Sequence, residues 1–586
     1  MILGSRGVLR ALGLSPSRGT IARARRVFFA GLAPFTSMAR PAEFLSLLLL
    51  AFVISSIARA QQPSAAKSDP ILKAMQEELD RSQSQLKMEN VPPPYYIEYR
   101  LTDVEQYQAE AAFGALREDQ YAHTRVIRVT VRVGNYKQDS YYGPGVGVST
   151  LGPIDDNPTA LRWQLWSATD AAYKIASESL AAKQAQMRQY TADQPFDDFS
   201  HETALVSIEP IAKLDYDPKP WRDALEKATA QFRTDLKLES LTATARFRGS
   251  NEYFINTEGT VTRHGYAVYY LSDEGTTQAA DGMRLQRGPY YAAASIKELP
   301  TPDQFVTDTA KMLATLKALR DAPVVEEDYR GPVLFSSDAA SDVFYGMVGA
   351  NVLGKRPKPG ESARTVGDYA SNYKSRVLPA FVSVEDDPTL KTFGGKTLIG
   401  SYDADDEGVR AQKVVVVEDG QLVNYLLGRE PIRDFPVSNG HGRAAAGQSA
   451  GPSMGNLIVR SKQTLSPGEM KAKLIDLCRQ ENRPFCYYVE TLGGSDYEPR
   501  LLYRVYVNDG HQEIVRGAEF DELDTRALRN DLAAVGNDPL VSNREGTVPS
   551  TVIVPSILFD DLEVKRTDAK NAKLPEYPPP DLVDAH

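Results

Sequence analysis

The sequence is poor in the residues from which most enzyme sites are built. Only Cys478 and Cys486 are cysteine, so there is no disulfide framework and no CxxC metal knuckle. An oxidising compartment would let this one pair bridge; two ordinary half-buried thiols are the other reading. The six histidines (His123, His201, His264, His441, His511 and His586) are scattered. None has a second histidine at the helical spacing that turns two imidazoles toward one metal. No glycine-rich loop ends in Gly-Lys-Ser/Thr, and no dinucleotide fingerprint lies between a strand and a helix, so ATP and NAD have no evident seat. Gly447-Gln-Ser449-Ala-Gly451 matches a nucleophile elbow in letters only, because no strand leads into it and no helix follows. The one long apolar run, Phe44 to Ile57, has fourteen residues, short of the about 20 that a membrane span needs.

What is present is a globular composition. Hydrophobic residues are 42 % and charged residues 25 % of 586, enough for roughly two to four domains. Residues 1–60 hold eight Arg and one Glu, leaving 59 basic against 76 acidic groups beyond them, a balance of −17. Such a body repels nucleic acid and anionic lipid. Arg40, the apolar run and Ala58-Arg59-Ala60 form a secretory signal. A mature chain starting near Gln61, secreted or periplasmic and with no stable membrane insertion, is therefore expected. Residues 1–37 contain six Arg and no acid, which points to Met38 as the start, or else to an Arg-rich transit peptide.

Ile71, Met75, Leu79 and Leu86 predict a helix over 68–88, and Arg125–Val133 alternates apolar with polar residues as a strand with one buried face does. Leu161, Leu165, Ala168, Ala172, Ala176 and Leu180 define a long helix, and Asn251–Leu271 a hairpin turning at Glu258-Gly259. After a helix at 303–319, a Pro-rich and charged stretch marks a boundary. Short β-rich runs follow at 397–402, 413–418, 421–427, 457–460, 485–492, 503–507 and 552–555, with helices around 339–352 and 467–480. The expected class is α+β: a leader (1–60), an N-terminal domain with a mixed sheet and long helices (61–325), a β-rich C-terminal domain with two or more helices (326–566) and a Pro-rich tail (567–586).

Two segments carry unusual chemistry. Asp403-Ala-Asp405-Asp406-Glu407-Gly408 crowds four carboxylates into five positions, which must be solvated, hydrogen-bonded or neutralised by Arg410 or a cation. Ser438-Asn439-Gly440-His441-Gly442-Arg443 combines paired glycines with groups able to read a carboxylate, or is simply a flexible connection. The 29 tyrosines, among them Tyr253, Tyr266, Tyr269, Tyr290 and Tyr291, suit either a peptide channel or ordinary sheet packing.

Four segments resemble the TldD/PmbA family, also called modulator of DNA gyrase, whose active members are metallopeptidases. They are Asn256-Thr-Glu258-Gly259, Gly331-Pro-Val-Leu-Phe, Asp405-Asp-Glu-Gly408 through Glu418-Asp419-Gly420 to Tyr425-Leu-Leu, and Ser438–Arg443. The catalytic subunit of that family carries HExxxH on the helix after the Gly-Pro-Val strand, and a later Cys completes its zinc site. Laid on that pattern, Tyr345 and Ala350 stand where the two His would be, Gly346 replaces the Glu and Ser542 the Cys. The resemblance thus implies a PmbA/TldE-type subunit without catalytic or metal residues, zinc being expected only in a TldD-like partner; a homodimer is the alternative assembly. It also implies an extended peptide as substrate, with Asn256, Glu258, Gly259, Asp406, Glu407, Gly408, Asn439, His441 and Arg443 as candidate contacts. Two rivals are a stand-alone periplasmic binding or assembly module, and a hydrolase using a different cation at Asp405–Glu407 with His441.

Overall fold

The computed structural model describes residues 68–189, 196–326, 328–358, 360–494 and 496–567. The leader, with Met38 and the cleavage position near Ala60, and the Pro-rich tail beyond Thr567 lie outside the described residues. Helix α1 (Pro70–Gln85) starts where the Asp69 carboxylate caps the Ile71 and Leu72 N–H groups and Pro70 occupies the first turn. It is joined by strands β1 (Pro94–Ala112) and β2 (Ala115–Asn135), helix α2 (Pro158–Met187), helix α3 (Pro218–Thr229), and strands β3 (Leu238–Asn256) and β4 (Val261–Gln278). The four long strands pair antiparallel in the order β2-β1-β3-β4, with short strands added to make nine. Among these is β5 (Tyr290–Ala293), on β4.

Register explains which face the helices cover. Ile97, Tyr99 and Leu101 of β1 lie opposite Val131, Val129 and Ile127 of β2, and all six pack on the Leu161, Leu165, Ala168, Ala172 and Ala176 stripe of α2 and on Ile71, Met75 and Leu79 of α1. Further along the sheet, Trp221 and Leu225 of α3 and Phe305 of helix α4 (Pro302–Asp321) meet Phe247 and Leu271. The alternation at 125–133 predicted one buried face. Both are buried, since Arg128, Thr130 and Arg132 are 6 %, 2 % and 3 % exposed. A second layer covers them: Arg128 donates to the Gly447 carbonyl at 3.0 Å and Arg100 to that of Gln448.

The remainder of the chain builds two sheets around one core. A seven-stranded sheet holds β6 (Tyr329–Phe335) parallel to β7 (Phe485–Gly493), which turns into β8 (Glu498–Tyr506). A six-stranded sheet ends on β9 (Leu540–Arg544), paired only with β10 (Ser550–Val554). Between them run helix α5 (Ser337–Val343) and a π-helical turn, Phe344–Gly349, whose Phe344 packs with Phe335, Val384, Leu457, Val552 and Phe559. Helix α6 (Pro467–Gln480) opens on a Ser466/Glu469 capping box, and the Cys478 and Cys486 sulfurs are bonded as a disulfide. The mixed sheets and packed helices are α+β. Two expected strands are shorter than their apolar runs: 421–427 forms a strand only at Gln421–Leu422, with an isolated bridge from Leu426 to Leu353, and 397–402 only at Lys396–Thr397. Among the described residues no helix is long and apolar enough to cross a membrane.

The two layers are joined by Arg429, which is 1 % exposed. Its guanidinium binds both Glu258 carboxylate oxygens (2.7 and 2.9 Å) and the Ser200 carbonyl (2.6 Å), and stacks 4.0 Å from the Phe199 ring. Removing one member of a buried pair strands the other charge. Arg429→Met is therefore expected to destabilise the protein by about 3–5 kcal/mol, read as a lower urea midpoint; an unchanged midpoint would show that the pair does not tie the layers together.

Asp273 continues the helix-facing register of Tyr269 and Leu271 and is 3 % exposed. Burial pushes it up to about 6, only partly offset by the Thr309 hydroxyl. The folded state thus holds this proton more tightly than the unfolded chain, so its contribution falls as pH rises from about 4 through 6. Asp273→Asn should raise stability above pH 7 by up to about 3 kcal/mol and converge with the parent near pH 4, measured by denaturation at both pH values.

Candidate functional site

The nine residues that the sequence offers as peptide contacts come together, but in the joint between the layers. Asn256 closes the β3–β4 turn, its side-chain Oδ1 accepting from the Glu258 and Thr260 N–H groups, while Gly259 takes φ +96°. The carboxylate loop lies against this hairpin, and a Cβ on Gly408 would sit 2.6 Å from Phe254 and Thr260. Asp405 accepts from the Glu407, Val409 and Gly442 N–H groups. Asp406 accepts from Arg443 Nε (3.2 Å) and the Ala444 N–H (2.6 Å), and Glu407 from the Arg429 N–H (2.7 Å). His441 is fully buried 3.2 Å from Asp386 and beside Asn439. Burial and Glu407 push Asp405 well above the usual range, and burial pushes Glu407 up to about 7. Against the burial that would raise it, Arg443 and Arg100 hold Asp406 low. Proton sharing and backbone donors thus solve the crowding of the carboxylates, and among the described residues no three His, Cys, Asp or Glu are gathered as metal ligands would be.

A second place is open. A cavity of about 870 Å³ lies where β5, α5, the β7–β8 hairpin and β9 meet. Three of the four positions set by the zinc motif line it: Tyr345, Gly346 and Ser542. Ala350 follows the π-helical turn. Of the tyrosines considered above, Tyr290 and Tyr291 line the cavity, whereas Tyr253 and Tyr269 are buried in the helix-facing core and Tyr266 donates to Glu252 at 3.1 Å. The edge of β9 faces β5, where Asn543 donates to the Ala292 carbonyl at 3.2 Å and Tyr290 and Ser542 hydroxyls stand 3.4 Å apart.

What fills the motif positions is specific. Tyr497 sits at φ +54°, a left-handed conformation rare for an aromatic residue, and its hydroxyl occupies the space beside Gly346, where a Cβ would lie 2.0 Å from it. The Arg544 guanidinium lies 4.6 Å over the Tyr345 ring and donates to Ser341 Oγ (2.9 Å) and Asp342 Oδ1 (2.7 Å). Glycine and alanine carry no donor atom, a serine hydroxyl is no thiolate, and a fixed cation stands among them. These residues do not fit zinc. Arg544 was within reach of the sequence, since it shares the strand face of Ser542 at the period of two; Asp338 and Asp342 share a face of α5 by their i, i+4 spacing.

Residues 328–566 match the family model described as the PmbA/TldA metallopeptidase C-terminal domain. A metalloprotease of Archaeoglobus fulgidus is 41 % identical over 69 residues, 12 % of this chain and 15 % of the relative. Metalloprotease PmbA of Escherichia coli O157:H7 is 25 % identical over 181 residues, 31 % of this chain and 36 % of that protein. The matches thus span well under half the length of these curated relatives. Solved structures share the fold over 84 % of this chain and 99 % of theirs: a modulator of a DNA gyrase from Thermotoga maritima (TM-score 0.58, 15 % identity) and TldE from Thermococcus kodakarensis (TM-score 0.55, 12 % identity). Residues 328–566 thus resemble the C-terminal domain of the PmbA/TldA metallopeptidases, and the fold is shared with these solved structures over most of the chain.

If the Tyr497 hydroxyl holds the space at Gly346, Gly346→Ala should cost about 1–3 kcal/mol by overpacking, and Tyr497→Phe in the same chain should recover most of it. A double-mutant cycle of unfolding free energies measures this; a neutral Gly346→Ala would refute the contact.

Proposed function

We propose that this chain is a non-catalytic, peptide-binding subunit of a TldD/PmbA-type metallopeptidase system. The observation that carries the reading is the exchange at the motif positions: Tyr497 stands in the space of the general base and Arg544 brings a fixed positive charge beside Tyr345. Hydrolysis by a zinc-bound water needs both a metal and a base, and neither has a place here. The chain itself takes no zinc; a TldD-like partner carries it, or two copies of this chain associate.

Binding survives that loss. The cavity is walled by β9, an edge strand, and backbone addition to such an edge relies on main-chain hydrogen bonds and not on metal ligands. Tyr290, Tyr291 and Tyr345 offer rings against which peptide side chains pack. The Cys478–Cys486 disulfide and the signal sequence support a secreted or periplasmic setting.

The test is hydrolysis of a quenched fluorogenic peptide by the purified chain, alone and with a TldD-type chain carrying an intact HExxxH. No cleavage alone and chelator-sensitive cleavage in the mixture, above that of the companion by itself, is the expected result. Chelator-sensitive cleavage by this chain alone would overturn the proposal.

A further inference from the structure

Most of the charge around the cavity is already answered. Glu274, Glu298, Asp338 and Lys396 line it from exposed positions and meet water. Of the half-buried charges, Arg544 pairs with Asp342 at 2.7 Å and Arg500 with Glu498 at 3.2 Å. Arg287, also half-buried, is the exception. It ends the short strand Arg284–Arg287, which pairs with β4, and reaches across to β7, where its Nη1 donates to Thr491 Oγ1 at 2.6 Å. Its Nε is enclosed without an acceptor, and among the described residues no carboxylate lies within salt-bridge distance of the guanidinium. Burial works against its charge, and Glu490, Tyr503 and Asp338 support that charge only from further off. Thr491, having accepted from Arg287, keeps its own O–H, for which no acceptor stands among the described residues. Both side chains line the cavity.

A guanidinium drawn this far out of water is stabilised most by an anion that reaches it. The surroundings select the anion. A phosphate brings nearly two negative charges at neutral pH, against Asp338 and Asp342 of α5 at the same cavity and against a body with 59 basic and 76 acidic groups beyond residue 60. A carboxylate brings one charge for the one unmatched cation, and its second oxygen can take the Thr491 O–H. The volume also fits: about 870 Å³ is within the roughly 300–1,000 Å³ typical of small-ligand pockets, which leaves room beside the carboxylate for a few residues of peptide.

We propose that Arg287 and Thr491 form a carboxylate-reading subsite of the cavity, which takes the free C-terminus or an acidic side chain of a peptide. This rests on the peptide-binding reading above and gives it a ligand class: peptides that carry a carboxylate into the cavity. The two side chains are specificity determinants and have no part in bond cleavage.

The experiment is isothermal titration of the purified protein at neutral pH with three N-acetylated peptides: tetra-alanine with a free C-terminus, the same peptide amidated, and amidated Ala-Ala-Glu-Ala. At least one of the two carboxylate-bearing peptides should bind about tenfold or more tighter than the neutral amide, as a charge-assisted contact does. Which of them does so identifies the source, the chain end, the side chain or a carboxylate in either place. Arg287→Gln should bring the preferred peptide down to the level of the amide, Arg287→Lys should keep part of the preference, and Thr491→Val should reduce it about threefold or more; the urea midpoint of each variant, read alongside, checks its fold. Equal binding of all three peptides to the parent protein, or a folded Arg287→Gln variant that keeps the full preference, would overturn the subsite and leave peptide binding standing. No binding of these peptides or of a ten-residue peptide would bring down both.

Discussion

The interaction on which the molecule turns is the buried guanidinium of Arg429, held between Glu258 of the hairpin turn, the Ser200 carbonyl and the Phe199 ring. An arginine removed from water needs its charge opposed, and the Glu258 carboxylate does so while accepting from both terminal nitrogens. That demand fixes the turn of the N-terminal sheet against the 403–443 loops, because Asn256 shapes the turn that presents Glu258 and Glu407 accepts from the Arg429 N–H. Everything at the joint is then polar yet closed: Asp405 and Asp406 take backbone donors and Arg443, and the sheet's arginines Arg100 and Arg128 reach the carbonyls of 447–448. With the joint set, β5 and β9 are left facing one another as the walls of a cavity.

The cavity follows a related rule with another outcome. At the joint every carboxylate of the acidic loop finds a donor inside the protein; at the cavity the balance is left incomplete. Arg544 meets Asp342 and covers Tyr345. Arg287 is left half-buried with its Nε unmatched, while Asp338 faces solvent.

Much of the architecture was legible in the residues themselves. Periods of 3.6 and two located α1, α2 and α4 and the Arg125–Val133 strand, because each signal comes from contacts that one element makes with one core. Where a second layer intervenes, the signal misleads: Arg128 and Arg132 look like solvent-facing residues, yet Arg128 bonds to the Gly447 carbonyl 319 positions away and Arg132 is buried on Asp139 and the Phe199 ring. The apolar run 421–427 looked like a strand, but beyond Leu422 its backbone bonds to scattered partners, such as Leu426 N–H to the Val352 carbonyl, and lies in the core as a coil. The site divides in the same way. Tyr345, Gly346 and Ser542 were found through a motif, and Arg544 lay two residues from one of them. Nothing local announces that Arg287 and Asp338 face one cavity, because only the folded topology brings β5, α5 and β9 together.

On the proposed reading, binding and bond cleavage are separable in this scaffold for a physical reason. Cleavage depends on a few donor atoms at fixed distances around an ion, so changes at four positions suffice to end it. Recognition through a strand edge depends on backbone geometry, which those changes leave untouched. The replacements also stabilise the altered cleft: a guanidinium over Tyr345 and paired with Asp342 satisfies a carboxylate that would otherwise face the cavity alone, and the Tyr497 hydroxyl fills the gap at Gly346. A cleft that had merely lost its ligands would keep voids and unmatched acids at those places. Here both are closed, by the Tyr497 hydroxyl and the Arg544 guanidinium.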